Sequence, residues 1–268
     1  MEKISRNQRI VAITKILLDN PNKVLNLNKF TEAFAVAKST ISEDILLVRD
    51  IFVKLGTGKV ETISGASGGV RFIFDISAEE KTKFSLKLSD ILRSKDRIIP
   101  GDFIYMTDIM YNPEIINKAG LILASAFNNQ KIDYVVTVET KGVPLAYEVA
   151  KKLGKQLVIV RRDNRVTEGT TVSINYVTGS NRRIQTMSLS RKAIFNGSSC
   201  IFIDDFMKAG GTANGIKNLL KEYDSNLVGI GVLVDDRESS KKLVGEYVSI
   251  IQYKGIDENG SAIIEPSF

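Results

Sequence analysis

The sequence predicts a two-domain α/β protein, with a small helical N-terminal unit followed by a larger unit built on a central parallel sheet. Near the N-terminus, apolar residues recur at helical spacing. Beyond residue 100, short apolar strands alternate with helical segments, which is the pattern of a parallel α/β sheet. One of these strands, Cys200–Ile203, leads into Asp204-Asp205 and then into Gly210-Gly211 ahead of a helix.

The composition excludes several kinds of site. The chain has 268 residues, is 43% hydrophobic and has a net charge of +6, which mildly favours polyanionic partners. It contains no histidine, so Ser-His-Asp, Cys-His and His-bound zinc chemistry are excluded. The single cysteine, Cys200, excludes an internal disulfide, and its apolar strand predicts burial. Because there is no apolar run of ~18 residues and no signal-like N-terminus, we expect a cytoplasmic protein without a membrane span.

Residues 1–75 predict a helix-turn-helix followed by a hairpin, which together make a winged helix. We expect Ser39 to cap the third helix. A separate prediction concerns the second domain, where we expect Asp235-Asp236 to be a solvated strand end. The predicted elements of the first domain are helices at Ser5–Leu18, at Lys29–Phe34 and after Ser39, and strands at Val60–Ile63 and Val70–Phe74 around the turn Ser64–Gly69.

The start of the third helix carries candidate DNA contacts. Lys38, Ser39, Thr40 and Ser42 can hydrogen-bond phosphates or base edges. Lys59 and Arg71 flank the hairpin as candidate phosphate contacts. A small helical dimerisation domain with a solvated polar face is the alternative, because Glu43 and Asp44 dilute the positive charge.

Residues 76–100 predict an amphipathic linker helix, and residues 101–268 form the second domain. Its strand and helix segments alternate as in a Rossmann-like sheet. A long polar region after Val160 predicts a two-stranded antiparallel ribbon around Thr178–Asn181. The predicted elements are a helix from Pro113 to about Phe127, strands at Ile132–Val138 and Gln156–Val160, a helix at Val143–Leu153, ribbon strands at Val172–Val177 and Arg183–Leu189, and a strand, a short helix and a closing strand between Leu227 and Ile251.

The segment Cys200–Ala213 predicts a phosphosugar site. Glycines let backbone N–H groups at a helix N-terminus approach a phosphate, where the helix dipole favours an anion. Asp204 and Asp205 are acceptors suited to vicinal hydroxyls or to a hydroxyl-bound Mg²⁺. Thr140-Lys141-Gly142 follows another strand and could hold a second anion in the same cleft. The alternative is that Asp204-Asp205 is only a helix entry or a solvated pair and that Gly210-Gly211 is only a turn; the apolar strand before and the helix after favour the phosphosugar site.

The Asp204-to-Thr212 motif resembles the phosphoribosyl pyrophosphate (PRPP) signature of type I phosphoribosyltransferases. Taken whole, the chain resembles the PurR family of Gram-positive purine operon repressors. That likeness extends over nearly the whole chain and rests on the runs Ala37–Asp44, Gly65–Val70, Glu139–Gly142, Asp163–Gly169, Val172–Val177 and Asp204–Thr212.

The resemblance implies a winged helix fused to a phosphoribosyltransferase-like domain, a homodimer, double-stranded operator DNA of purine genes as partner, and PRPP as effector with Mg²⁺. No side chain is assigned directly to the metal, which would lie near Asp204 and Asp205. Tyr105 is implied to approach the ligand. The implied PRPP contacts are Asp204, Asp205, Phe206, Met207, Lys208, Ala209, Gly210, Gly211, Thr212, Ala213, Thr140, Lys141, Gly142 and Tyr105.

Two rival functions stay open at this stage. A working purine phosphoribosyltransferase commonly keeps an acidic residue within the loop, but Lys208 stands at that place, and an ammonium with a reference pKa near ~10.4 is a poor base. We therefore expect a sensor without catalytic residues. The sign of regulation is also open, because the same parts would serve a PRPP-relieved repressor or a PRPP-stimulated activator, and guanine nucleotides could compete for the cleft.

Overall fold

The computed structural model describes residues 4–65, 67–100, 103–163, 169–177, 184–238 and 241–268. The chain divides into two compact units, one of Met1–Ser77 with Lys151–Gly154, the other of Ala78–Ala150 with Lys155–Phe268. The runs Gly65–Val70 and Asp163–Gly169 are described only in part, and the ribbon turn Thr178–Asn181 lies outside the described residues.

The first unit has the predicted three helices and hairpin. They are α1 (Arg6–Asp19), α2 (Leu27–Phe34), α3 (Lys38–Leu55), β1 (Gly58–Ile63) and β2 (Gly69–Phe74). The helices bury their apolar faces against the hairpin, around Ile13, Phe30, Val48 and Phe72. Ser5 starts α1 with a capping box that it shares with Gln8.

The predicted cap of α3 is wrong. Ala37 is the N-cap and makes no side-chain cap hydrogen bond, so Ser39 lies inside the first turn and is exposed. Asp44 is not a surface charge either. It is fully buried and accepts hydrogen bonds from the guanidinium of Arg9, which is also buried, and from Arg6 at 3.3 Å. This ion pair fixes α3 against α1.

The hairpin tip is held against the start of α2. Asn26 caps α2 by accepting from Asn28 N at 2.9 Å, and its Nδ2 donates to Gly68 O at 3.1 Å. The backbone of Leu25 forms a bridge with Val70. A Cβ on Gly69 would lie 2.1 Å from Leu25 O, so only glycine allows this approach.

The second unit is an α/β layered fold, as predicted. Its helices are α4 (Ala78–Leu92), α5 (Thr107–Met110), α6 (Pro113–Ala126), α7 (Val143–Leu153) and α8 (Gly211–Lys221). Its strands are β3 (Ile98–Ile99), β4 (Phe103–Ile104), β5 (Tyr134–Val138), β6 (Gln156–Val160), β7 (Thr171–Val177), β8 (Ile184–Ser190), β9 (Ser199–Met207), β10 (Asn226–Asp236), β11 (Val248–Ile256) and β12 (Ala262–Pro266). The segment predicted as a linker helix forms α4, which packs on β12 and β11.

The main sheet has the strand order β12-β11-β10-β9-β5-β6 and is parallel except for β12. The connection from β5 through α7 to β6 leads toward one edge, and the connection from β9 through α8 to β10 leads toward the other. The topological switch point therefore lies between β5 and β9. In open α/β sheets, ligands bind at such a point, outside the carboxyl ends of the strands.

The predicted ribbon is present as β7 and β8, paired antiparallel from Thr171↔Ser190 to Val177↔Ile184. It lies on α8, where a Cβ added to Gly215 would come within 2.7 Å of Met187 Cε and 3.0 Å of Tyr176 Cγ. Glycine at this position therefore lets the ribbon pack closely on the helix that follows the phosphosugar motif.

Two predictions about the chain after Leu227 are wrong. No helix forms between β10 and β11 in the described residues 237–238 and 241–247. Asp235 and Asp236 are not solvated, being 0% and 2% exposed. The reason is that β10 continues through both residues and the cations of the next segment fold back on Asp235: Arg237 Nε lies at 2.7 Å and Lys242 Nζ at 2.8 Å.

Candidate functional site

The Gly-Gly turn forms a helix N-terminus open to an anion. Gly210 caps α8 in the left-handed region at φ 78°, where a side chain is disfavoured. The first intrahelical bond into α8 runs from Asn214 N to Gly210 O at 2.9 Å. The N–H groups of Gly211, Thr212 and Ala213 therefore have no partner within the helix. They form the positive end of the helix dipole.

The two carboxylates lie beside this turn, but within the strand. β9 continues through Asp204 and Asp205 to Met207, beyond the end predicted at Ile203, because it pairs with β10 as far as Met207↔Asp235. On its other side β9 pairs with β5 only as far as Phe202. The crevice of the switch point therefore opens at Asp204.

Asp204 has an unusual pKa for a carboxyl group. Burial and then the adjacent negative charge of Asp205 hold the pKa of Asp204 well above the usual range for an aspartate, and Arg162 opposes this shift. A bound cation or hydroxyl donors would favour the ionised form. The Asp204 carboxyl group is therefore suited to bind ligand groups that carry positive charge or donate hydrogen bonds.

The second loop reaches the first one. A Cβ added to Gly142 would lie 2.7 Å from Asp204 Oδ1 and 2.8 Å from Thr137 Oγ1, so the backbone at Gly142 touches the carboxylate directly. The Glu139–Thr140 peptide bond is cis. The carboxylate of Glu139 accepts from Arg162 N at 2.9 Å and from Arg161 Nη1 at 3.0 Å, which ties the start of this loop to the end of β6.

A cleft of about 640 Å³ contains most of the predicted ligand contacts. Thr140 does not line it, and Gly142 lies behind Asp204. Tyr105, 44% exposed, lies on its rim. The predicted residues that line the cleft are Tyr105, Lys141, Asp204, Asp205, Phe206, Met207, Lys208, Ala209, Gly210, Gly211, Thr212 and Ala213.

Other residues that line the cleft are not among the predicted ligand contacts. Arg162, two residues after β6, belongs to a basic region that the sequence left open between a solvated surface and a source of charge for a phosphate-rich ligand or DNA. Its place near a strand's carboxyl end was the usable signal. Tyr176 lies on the ribbon, and its hydroxyl donates to Gln185 Oε1 at 2.9 Å; it lines the cleft together with Thr212 of the phosphate loop. No local pattern predicts that a ribbon folds over this loop. Gln185, Asp236, Glu238 and Tyr253 also line the cleft.

The basic residue within the loop has the expected position. Lys208 lines the cleft and is exposed. Cys200, in the strand that leads to the site, is fully buried and free, and burial raises the pKa of its thiol to about 12. It is therefore not a nucleophile at neutral pH.

The predicted DNA contacts fall into two groups. Lys38, Ser39 and Ser42 are exposed and Thr40 is half-buried in the first turns of α3, with Ser42 Oγ donating to Lys38 O at 3.0 Å. The two hairpin cations have carboxylate partners inside the hairpin region: Arg71 Nη2 lies 2.6 Å from Glu61 Oε2, and Lys59 pairs with Asp75.

In the part of the chain that the structure describes, no helix is long and apolar enough to cross a membrane. Within the same residues, no three acidic, histidine or cysteine side chains are grouped so that they could hold a metal ion.

Comparison with known proteins gives the same two-part division. A model of the bacterial purine repressor N-terminal domain matches residues 5–74, and a model of the phosphoribosyl transferase domain matches residues 106–262. Adenine phosphoribosyltransferase from Thermoanaerobacter pseudethanolicus is similar in structure, with a TM-score of 0.54 at 22% identity over 62% of this chain and 99% of that one. This likeness concerns the fold alone.

Two curated relatives match along nearly their whole length. The purine biosynthesis transcriptional repressor PurR of Bacillus subtilis (strain 168) is 45% identical over 97% of this chain and 92% of its own. The purine biosynthesis transcriptional activator PurR of Lactococcus lactis subsp. lactis (strain IL1403) is 40% identical over 95% of this chain and 94% of its own. The chain therefore belongs to the PurR family of purine biosynthesis transcriptional regulators, with a winged-helix domain joined to a phosphoribosyltransferase fold.

Proposed function

We propose that this chain is a DNA-binding repressor of purine biosynthesis genes that senses PRPP at a phosphoribosyltransferase site which does no chemistry. One observation carries the ligand assignment: three N–H groups without helical partners at the start of α8 and the Asp204-Asp205 pair line one cleft. The first would hold a 5-phosphate and the second the ribose hydroxyls. Lys141, on the adjoining loop, would pair with the pyrophosphate.

Mg²⁺ fits this arrangement. It prefers oxygen ligands and is commonly held by one or two carboxylates together with substrate phosphates. Asp204 and Asp205 supply carboxylate oxygens where the ribose hydroxyls would lie. The metal would neutralise charge on the pyrophosphate and favour the ionised form of Asp204.

The absence of catalysis is inferred from Lys208. It occupies the cleft where an acid would be needed near the purine nitrogen, and an ammonium cannot accept a proton before losing its own. The family name of the relatives, that of transcription regulators, agrees with this proposal.

An active phosphoribosyltransferase is the second candidate, because Asp236 and Glu238 also bring carboxylates to the cleft. Incubation of the chain with PRPP, Mg²⁺ and each purine base decides between the two. We expect no nucleotide; steady nucleotide formation would establish the enzyme.

The DNA half of the proposal places the exposed start of α3 in a major groove. We expect a homodimer, since two copies would read paired operator elements. Retention of labelled purine-promoter DNA at moderate salt, with and without PRPP, tests it. Specific retention that PRPP weakens supports a repressor; retention that PRPP strengthens would favour the activator, for which the Lactococcus relative is named. No specific retention would refute the assignment.

The effector site is tested separately by Asp204→Asn and Asp205→Asn. Both should abolish the PRPP response and leave DNA binding without PRPP unchanged. Glu222→Gln is the matched control, because Glu222 is exposed at the far end of α8. An unchanged response in both aspartate variants would place the effector elsewhere.

A further inference from the structure

The segment Lys242–Val244 lies directly behind the phosphate loop. The ammonium of Lys242 donates to the carbonyl oxygens of Lys208 and Asp236 and lies 3.5 Å from Met207 O. Leu243 N donates to Ala209 O at 2.9 Å. Val244 Cγ2 would lie 3.0 Å from a Cβ on Gly210. One short segment thus holds three successive residues of the loop.

These bonds set the direction of the loop's donors. In a planar trans peptide the C=O and the next residue's N–H point in opposite directions. With the carbonyls of Lys208 and Ala209 turned toward Lys242 and Leu243, the N–H groups of Ala209 and Gly210 point away from that segment. Neither N–H has a hydrogen-bond acceptor in the described part of the chain. Along the chain they directly precede the first three N–H groups of α8, which also lack a partner within the helix.

The ammonium of Lys242 is itself held in place. Its side chain is 13% exposed, and Asp235 Oδ1 lies 2.8 Å from its nitrogen. Asp235 is fully buried; its Oδ2 lies 2.7 Å from Arg237 Nε and accepts from the Tyr247 hydroxyl at 3.0 Å. Burial and the Asp235 carboxylate raise the pKa of Tyr247 to about 12, so this hydroxyl stays a donor. The fixed carboxylate in turn fixes Lys242.

We propose that Lys242 is a positioning residue for the 5-phosphate loop: anchored by Asp235, it turns the Lys208 carbonyl away from the cleft and so presents the Ala209 N–H group to the ligand, while the backbone of Leu243 does the same for Gly210. This rests on the proposed PRPP function. Lys242 does not touch the ligand. It presets the loop, so that binding of the 5-phosphate does not first have to reorder it.

The test is calorimetry on the full chain with three probes: PRPP, ribose 5-phosphate and inorganic pyrophosphate, each with Mg²⁺. Lys242→Met keeps the aliphatic length and removes the donor. It should weaken ribose 5-phosphate and PRPP about tenfold or more and leave pyrophosphate unchanged. Lys141→Met should weaken pyrophosphate and PRPP and leave ribose 5-phosphate unchanged. Lys241→Met, which changes the same charge at an exposed neighbour, should bind all three like the wild type.

Equal ribose 5-phosphate affinity in the wild type and Lys242→Met would overturn the proposal, and so would parallel loss of all three ligands. Tyr247→Phe is a milder variant, which removes one hydrogen bond from Asp235. It should weaken ribose 5-phosphate about two- to fivefold, and no change there would also count against the proposal. A wild-type chain that binds neither PRPP nor ribose 5-phosphate would overturn the proposed function itself.

Discussion

Gly142→Ala should damage effector binding without unfolding the protein. The added Cβ would lie 2.7 Å from Asp204 Oδ1, 2.8 Å from Thr137 Oγ1 and 3.2 Å from Asp204 Cα. The first two distances are closer than real Cβ contacts, and the third is to backbone, so rotating one side chain does not relieve all of them. The loop must move away from Asp204.

The size of the effect follows from that displacement. Overpacking by one methyl group in a closely packed place costs about 1–3 kcal/mol. In the free chain the loop can relax outward, because Thr140 and Lys141 are exposed. A ligand that spans both loops demands the original spacing, so the strain appears on binding. At about 1.4 kcal/mol per factor of ten, the Kd for PRPP should rise about 5- to 150-fold.

Calorimetry with PRPP and Mg²⁺ measures this, and thermal unfolding checks the fold. Gly245→Ala is the matched control: it adds a methyl group in the segment behind the phosphate loop, where nothing lies within 4 Å of the new Cβ. A folded Gly142→Ala chain with wild-type PRPP affinity would refute the idea that the two loops form one site.

Three further predictions concern charges. Asp44→Asn should lower the free energy of unfolding of the winged-helix domain by about 3–5 kcal/mol in urea titrations, since it leaves the buried Arg9 guanidinium unpaired. PRPP affinity should rise as the pH rises through the elevated pKa of Asp204, because the ionised carboxylate is the acceptor. Lys38→Ala should weaken operator binding and lower the salt slope by about 1, whereas Lys59→Ala, whose ammonium is paired with Asp75, should do less.

Each of these has its own control. Asp19→Asn removes an exposed partner of Lys15 and should change stability by less than about 0.5 kcal/mol. For Asp204, the folded chain binds the proton more tightly than the unfolded chain, so stability should fall with rising pH while affinity rises; Asp204→Asn should remove both dependences. If Lys59→Ala cost as much operator affinity as Lys38→Ala, the hairpin cations would be phosphate contacts after all.

The sequence contained most of the fold, because local signals agreed with one another. The helix Val143–Leu153 and the strand Gln156–Val160 lie where predicted, since a Gly before the helix and a Gly-Lys turn before the strand define their ends. The Gly-Gly turn before α8 was predicted equally well, because Gly210 adopts a left-handed backbone conformation that residues with a side chain disfavour.

What could not be predicted depends on partners distant in sequence. Asp235 looks like a solvated strand end until Lys242, Arg237 and Tyr247 are seen to surround it. Asp44 looks like a surface acid until Arg9, on another helix, is placed beside it. Such burial of charge is decided by tertiary neighbours, and hydrophobic periodicity carries no information about them.

The short seam between β5 and β9 has a consequence for the mechanics of the sheet. These strands are joined through only three residue pairs, from Tyr134↔Cys200 to Val136↔Phe202, whereas β9 and β10 pair along most of their length. The seam is the place where the sheet should part first in native-state hydrogen exchange. A ligand bound by the loop after β5 and by the loop after β9 would hold these two strands together. Slower amide exchange in β5 and β9 would then report effector binding without any DNA-binding assay.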